Sequence, residues 1–295
     1  MLYFGEISAL LAALMWSTSS FVFAAASVRI GAIQLNISRM IIGAAMIGIV
    51  LPIFGLDLHV STNQLLLLSL SGLVGLVIGD SFLFQALKEI GPRITMLVMS
   101  SYPAFAAVMA YFILGESVSI YGILGITVTM IGISIVIMGN KKDGSSKFKI
   151  TGRGLFFSFI GAAGQATGLI IAKIAFNESD IHALSATFIR LVAAVVILLP
   201  LAALRGKFKN PIKVFMQDKR VFRYVLLASF MGPVLGIAFS FWAIQNTKIA
   251  IASTLMATVP IIMLPMSRII HKEKLTIASV SGAFVAVFGV YMLFW

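Results

Sequence analysis

A chain of 295 residues that is 60% hydrophobic, only 11% charged and has a mean hydropathy of +1.07 cannot clothe a water-soluble surface, which ordinarily needs about a quarter charged residues. Soluble enzymes, secreted domains and nucleic-acid binders are thereby set aside, and the excess of 22 Lys and Arg over 10 Asp and Glu lies between apolar runs, where it orients a chain in a bilayer. With no cysteine and three separated histidines, His59, His182 and His271, disulfides, thiol nucleophiles and transition-metal centres are also set aside, and no cofactor is expected.

Apolar runs of about 20 residues, each enough to cross ~30 Å of hydrocarbon as a helix, predict ten spans at 5–26, 32–54, 65–87, 92–114, 118–139, 154–176, 183–204, 222–244, 249–270 and 275–295. The first run has no cation ahead of it and no clear small-residue cleavage site, so it is expected to stay as a membrane helix. Trp16 sits at its mid-depth, away from the interfacial belt that tryptophans favour. Arg39 lies early in the second span. The third carries Gly75, Gly79 and Asp80, the fourth Pro103 after Ser100, Ser101 and Tyr102. A Lys/Gly/Ser-rich linker at 140–153 then separates 1–139 from 154–295. Gln165 stands at mid-depth in the sixth span, Arg190 in the seventh, Gly232 and Gly236 in the eighth, and Thr254, Thr258 and Pro260 in the ninth.

The two parts are related. A shift of 157 residues puts Gly75 on Gly232, Gly79 on Gly236, Pro103 on Pro260, Glu116 on Glu273, Gly125 on Gly282 and Gly132 on Gly289. A shift of 151 puts Arg39 on Arg190, and one of 149 puts Trp16 on Gln165; the longer connection at 205–221 absorbs the difference. The fold expected is therefore all-α, ten transmembrane helices in two five-helix repeats. Five is odd, so the second repeat starts from the opposite side and the topology is inverted, the arrangement that supports alternating access.

A charge inside a span costs roughly 2.5–3.5 kcal/mol on insertion scales unless it snorkels or is paired. Lys173 is near a helix end and is expected to snorkel. Arg39 and Asp80 lie at one depth on one side and form an allowed ion pair, with Asp80 also the default proton-coupling carboxyl. Asp80 maps onto Ile237, which leaves Arg190 three readings: a snorkelling side chain, one served by another group, or a cationic anchor for a cargo carboxylate or phosphate. Pro103 and Pro260 remove the amide hydrogens that would bond the carbonyls of Met99 and Met256. Each is read either as a kink capped by nearby hydroxyls or as a bent wall of a cargo cavity. The glycine pairs Gly75/Gly79 and Gly232/Gly236 are GxxxG packing motifs. Trp16, Gln165, Ser17, Ser20 and Thr167 place a polar cavity face, or ordinary interhelical hydrogen bonding, on spans one and six. Trp16, Tyr102, Gln165, Thr258 and Arg190 are the expected cargo-binding set.

WSTSSFVFAAA at 16–26, Arg39, GDSFLFQAL at 79–87 and GPRITMLVMSSYPAFAAVMAYFILGE at 91–116, with HKEK at 271–274 echoing the LGE ending of span four, resemble the drug/metabolite transporter superfamily, specifically its EamA-type members. The resemblance covers the whole chain, although the second copy of the LGE motif lacks its Gly. It implies movement of small metabolites or amino acids, often outward across a bacterial inner membrane. Cation-exporting relatives of the small multidrug-resistance kind carry an acid midway along the first span; here only Glu6, at its start, is acidic.

No P-loop, nucleophile elbow or metal-ligand spacing occurs, so neither ATP-driven transport nor catalysis by this chain is expected. The expectation is a secondary transporter, an exporter of small polar metabolites such as amino acids or related carboxylates. The alternative is a ten-span receptor, scaffold or intramembrane enzyme. Its partners are a small-molecule substrate and the lipid bilayer, it acts as monomer or homodimer, and it sits in a bacterial or archaeal cytoplasmic membrane. Arg29, Lys88, Arg93, the cations of 140–153 and 205–223, Arg268, Lys272 and Lys274 all follow odd-numbered spans, against Lys248 alone on the other side. Both termini are therefore expected outside and the 140–153 linker inside.

Overall fold

The computed structural model describes residues 3–115, 119–143, 148–179, 181–206, 208–246 and 255–292, and among them every element is helical. Glu116, Thr254 and Lys248 lie outside these residues. The first part contains α1 (Phe4–Ile30), α2 (Ala32–Ile53), α3 (Thr62–Gly72), a π-helical stretch (Leu73–Gly79), α4 (Asp80–Met99), α5 (Tyr102–Leu114) and α6 (Ile120–Asp143). The second contains α7 (Gly152–Glu178), α8 (Ala183–Leu204), the short α9 (Pro211–Gln217), α10 (Lys219–Ser229), a second π-helical stretch (Phe230–Gly236), α11 (Ile237–Asn246), α12 (Val259–His271) and α13 (Ile277–Met292).

Among the described residues, seven stretches are long and apolar enough to cross a bilayer: Phe4–Ile30, Ala32–Ile53, Thr62–Met99, Ile120–Met138, Gly152–Glu178, Ala183–Leu204 and Lys219–Ser240. α5, α12 and α13 are apolar but shorter. Their outward side chains match a lipid solvent: Phe112, Leu204 and Ile277 are 74%, 86% and 89% exposed, which water would penalise and hydrocarbon does not. This is an integral, multi-pass membrane protein.

Two of the reversals between helices fall at glycines with positive φ, the region where a residue without Cβ is unstrained. Gly31 (φ 86) separates α1 from α2, its amide bonded to Ser27 O at 2.9 Å. Gly91 (φ 79) breaks the long α4 just before Pro92, which divides the predicted third and fourth spans.

Because lipid is as apolar as leucine, helices in a bilayer associate through close approach rather than hydrophobic burial, and the glycines show where. A Cβ on Gly168 would lie 2.9 Å from Gly75 Cα, and one on Gly164 2.8 Å from Gly79 Cα, so α7 runs antiparallel to the first π-helical stretch with backbones in contact. The counterpart repeats the pattern: Gly232 faces Ser19 and Gly236 faces Trp16, so the second π-helical stretch runs antiparallel to α1. α6 and α13 close on each other in the same way, a Cβ on Gly132 colliding with the Ala286 backbone and one on Gly289 with that of Thr129. Since 129 and 286 are themselves 157 apart, each helix presents to the other the positions the other presents to it.

The four-residue spacing of Gly75/Gly79 and Gly232/Gly236 explains the packing but not the π-helices, which occupy matching registers, 73–79 and 230–236. Wider i→i+5 turns loosen the backbone bonding, and Asn36 exploits this: its Nδ2 donates to Leu76 O at 2.8 Å. On the side carrying the linker, Arg93 and Glu273 form a buried ion pair at 2.7 Å between the two parts of the chain, next to Phe148, whose ring packs on Gly91 and lies 5.5 Å from that of His271.

Candidate functional site: a cavity between the two halves

A cavity of about 440 Å³ is walled by α1, α2, α4, α5, α7, α8, α11, α12 and both π-helical stretches. Its size is that of a small-molecule pocket, about 300–1,000 Å³. One wall is polar. Asp80, where the first π-helical stretch passes into α4, receives Arg39 Nη2 on one carboxylate oxygen and Gln165 Nε2 on the other. Asp80 and Arg39 are both buried. Arg39 is held further by Nε donating to Asn36 Oδ1 at 3.2 Å and by its guanidinium lying 5.0 Å from the Phe84 ring centre. Asn36 also donates to Ser81 Oγ at 3.1 Å. Each group of this network answers another, as a buried polar cluster must.

Arg190 is held differently. Its Nη2 comes within 3.2 Å of the point where a Cβ on Gly75 would stand, and Gln165 Oε1 within 3.8 Å of that same point, so guanidinium and amide converge above a glycine that leaves them room. Yet Arg190 Nε is buried without a hydrogen-bond partner. The opposite wall is apolar: Trp16, Phe23, Pro233, Ile237 and Pro260. Trp16 lies so close to Gly236 that any side chain there would strike its Nε1.

Of the expected cargo-binding set, Trp16, Tyr102, Gln165 and Arg190 line the cavity, as do Arg39, Asp80 and Pro260. Thr258 does not; its hydroxyl donates to Leu255 O at 2.6 Å. The prolines also differ from expectation. Rather than kinking continuous helices, Pro103 and Pro260 stand in the first turn of new ones, after breaks at 100–101 and 257–258. Proline belongs there because the first-turn amides have no intrahelical partner anyway. Of the carbonyls that end the preceding helices, those of Leu97, Val98 and Leu255 accept from Ser100, Ser101 and Thr258; Met99 and Met256, whose carbonyls the prolines were expected to free, both line the cavity. Ser20 and Ser19 line the cavity, whereas Ser17 and Thr167 bond back to Ala13 O and Ala163 O. Lys173 is exposed near the end of α7.

Sequence reasoning missed Asn36 and the buried Arg93–Glu273 pair. Asn36, one helical turn before Arg39 in an otherwise apolar span, carried a readable signal; Arg93 and Glu273 looked like solvated loop charges, and their pairing depends on how the two parts of the chain meet.

The EamA-like transporter family profile matches twice, at residues 3–138 and 152–295. The chain belongs to the EamA-like transporter family. A protein of Archaeoglobus fulgidus described as an uncharacterized transporter is 22% identical over 228 residues, covering 77% of this chain and 75% of that one. A crystal structure matches with a TM-score of 0.68 at 19% identity, over 98% of this chain and 95% of its own, which shows a shared fold. Membrane transport is thus the general activity, and residues of both matched segments line the cavity.

Proposed function

We propose that this EamA-like protein is a secondary transporter that exports small polar metabolites, amino acids or related carboxylates, by alternating access between two inverted five-helix repeats. The repeats are 1–139 and 154–295, ten transmembrane helices in all, joined by the basic linker 140–153. The observation that carries this reading is the central cavity, set where antiparallel, repeat-related helices meet, since such repeats place their site at their interface near mid-membrane. Trp16, Tyr102 and Gln165 contact the cargo, Arg190 offers it a charge, and Asp80 holds Arg39 in place. If coupling is to protons, protonation of Asp80 is the event that frees Arg39. One chain holds the whole cavity, so a monomer suffices. The membrane is the cytoplasmic membrane of a bacterium or archaeon, and the protein acts as a carrier, not an enzyme.

Purified protein in sealed liposomes, assayed for uptake across a metabolite panel with and without a pH gradient, tests the function: saturable uptake of one class is expected, and no uptake of any member would overturn it. Orientation is tested with cysteines introduced singly at Ser145 and Asp180, two positions outside the described residues. An impermeant maleimide on intact cells is expected to label 180 alone, and labelling at 145 without 180 would reverse the topology.

A further inference from the structure

Resting on that reading, the charges of the cavity narrow the cargo. Among the described residues the lining carries two guanidiniums, Arg39 and Arg190, and one carboxylate, Asp80. Asp80 is committed: Arg39 takes one of its oxygens and Gln165 the other. Arg39 is committed too, to Asp80, to Asn36 and to the face of Phe84. Arg190 has none of these restraints, and its Nε is buried with no hydrogen-bond partner. The described lining therefore carries one positive charge in excess.

We infer that the cargo is a monoanionic carboxylate with an apolar body and no ammonium group. A carboxylate meeting the Arg190 guanidinium forms charge-assisted, potentially bidentate hydrogen bonds and leaves the cavity neutral. A zwitterionic amino acid makes the same contact but brings a second cation into a site already carrying a surplus one. Its ammonium would need an acceptor, and both oxygens of the one carboxylate in the lining are already engaged. A neutral amide leaves the guanidinium charge unanswered, and a dianion reverses the imbalance. Inside a low-dielectric bundle each such mismatch weighs far more than in water. The rest of the cargo faces Trp16, Phe23, Pro233 and Ile237, which favour a flat or branched hydrocarbon body.

Three molecules of one shape separate these cases: 3-phenylpropionate (monoanion), phenylalanine (zwitterion) and 3-phenylpropionamide (neutral). Binding is measured by calorimetry on the purified protein in detergent. The anion is expected to bind at least about tenfold more tightly than either of the others, a difference of about 1.4 kcal/mol. Arg190→Gln should remove that preference by lowering the anion's affinity far more than the amide's, and an unfolding temperature near that of the native protein checks that the variant keeps its fold. Arg190→Lys should retain part of the preference. Phenylalanine binding as tightly as the anion, or a preference that survives Arg190→Gln, would overturn the inference while leaving the cavity as the cargo site. Absence of binding by all three at millimolar concentration would overturn it as well, and the uptake panel would then decide the transport reading by itself.

Discussion

The two walls of the cavity occupy matching places in the repeated sequence and do opposite things. On one, Asp80 and Gln165 bond each other and hold Arg39; on the other, the corresponding positions are Ile237 and Trp16, and Arg190, which corresponds to Arg39, is left without a carboxylate of its own. The backbone around them does not differ in this way. Both π-helical stretches fall in the same register, both breaks before the prolines do, and the glycine contacts between helices are reciprocal. Duplication has preserved what lets helices approach and bend: a Cβ on Gly79, Gly132 or Gly289 meets the backbone of a neighbouring helix, and one on Gly236 meets the Trp16 ring. Side chains that face an open cavity have no such constraint, and there the two copies have parted into a charged wall and an apolar one.

The largest effect should come from breaking the polar wall. Asp80→Asn removes the counter-ion of Arg39 and should cost about 3–5 kcal/mol if the pair is fully desolvated, with the double variant Arg39→Gln/Asp80→Asn costing less than Asp80→Asn alone. Thermal unfolding in detergent completes the cycle, and strictly additive losses would deny the pair. Next come Gly132→Ala and Gly289→Ala. Each puts a methyl group against the partner helix's backbone, which cannot rotate away as a side chain can, and overpacking of this kind costs about 1–3 kcal/mol. Reciprocity requires the two losses to be equal within error; a large inequality would mean that the backbone symmetry is only approximate. Smaller again, Trp16→Ala and Gln165→Ala should each weaken cargo binding or transport about tenfold, near 1.4 kcal/mol, measured on folded protein because Gln165→Ala also removes a donor to Asp80. Normal transport by both would place the cargo closer to Arg39 and Asp80.

The smallest effect is expected away from both walls, at Asp218, which caps α10 and meets Arg29 at 3.0 Å in a half-exposed pair. The Val221 backbone N–H, with Arg29 and the Arg220 N–H adding to it, holds this carboxyl below its ordinary pKa. A carboxyl depressed on folding contributes stability above its unfolded pKa and loses it as pH falls through the lowered folded value. Unfolding temperatures of the native protein and Asp218→Ala should therefore differ slightly at neutral pH and converge in acid. A gap that widens on acidification would contradict the cap.

Much of this was legible in the sequence because bilayers impose simple rules. Apolar run length marks helices, and the 157-residue shift exposes the repeat. A lone Asp at the depth of a lone Arg invites pairing, and Arg39 and Asp80 do pair. What the residues did not declare depends on backbone detail. Pro103 and Pro260 were compatible with a kink or a fresh start, and only the break at the preceding serines and threonine decides. Thr258 has the right depth for a cargo contact, but its hydroxyl caps Leu255. The π-helices leave no composition signal beyond their glycines, and the Arg93–Glu273 pair joins residues that look separately like ordinary loop charges.

Alternating access through this cavity is the central claim, and the chain offers a direct test because it contains no native cysteine. Thr187 lines the cavity and its hydroxyl is engaged only with its own helix, at Ala183 O, so Thr187→Cys places one thiol in the site with little disturbance. Right-side-out and inside-out vesicles carrying this variant are treated with a membrane-impermeant maleimide, and the fraction labelled is read by mass spectrometry. Substantial labelling from both sides is expected, slowed in each case by a transported substrate; labelling that goes to completion from one side and never occurs from the other would contradict alternating access.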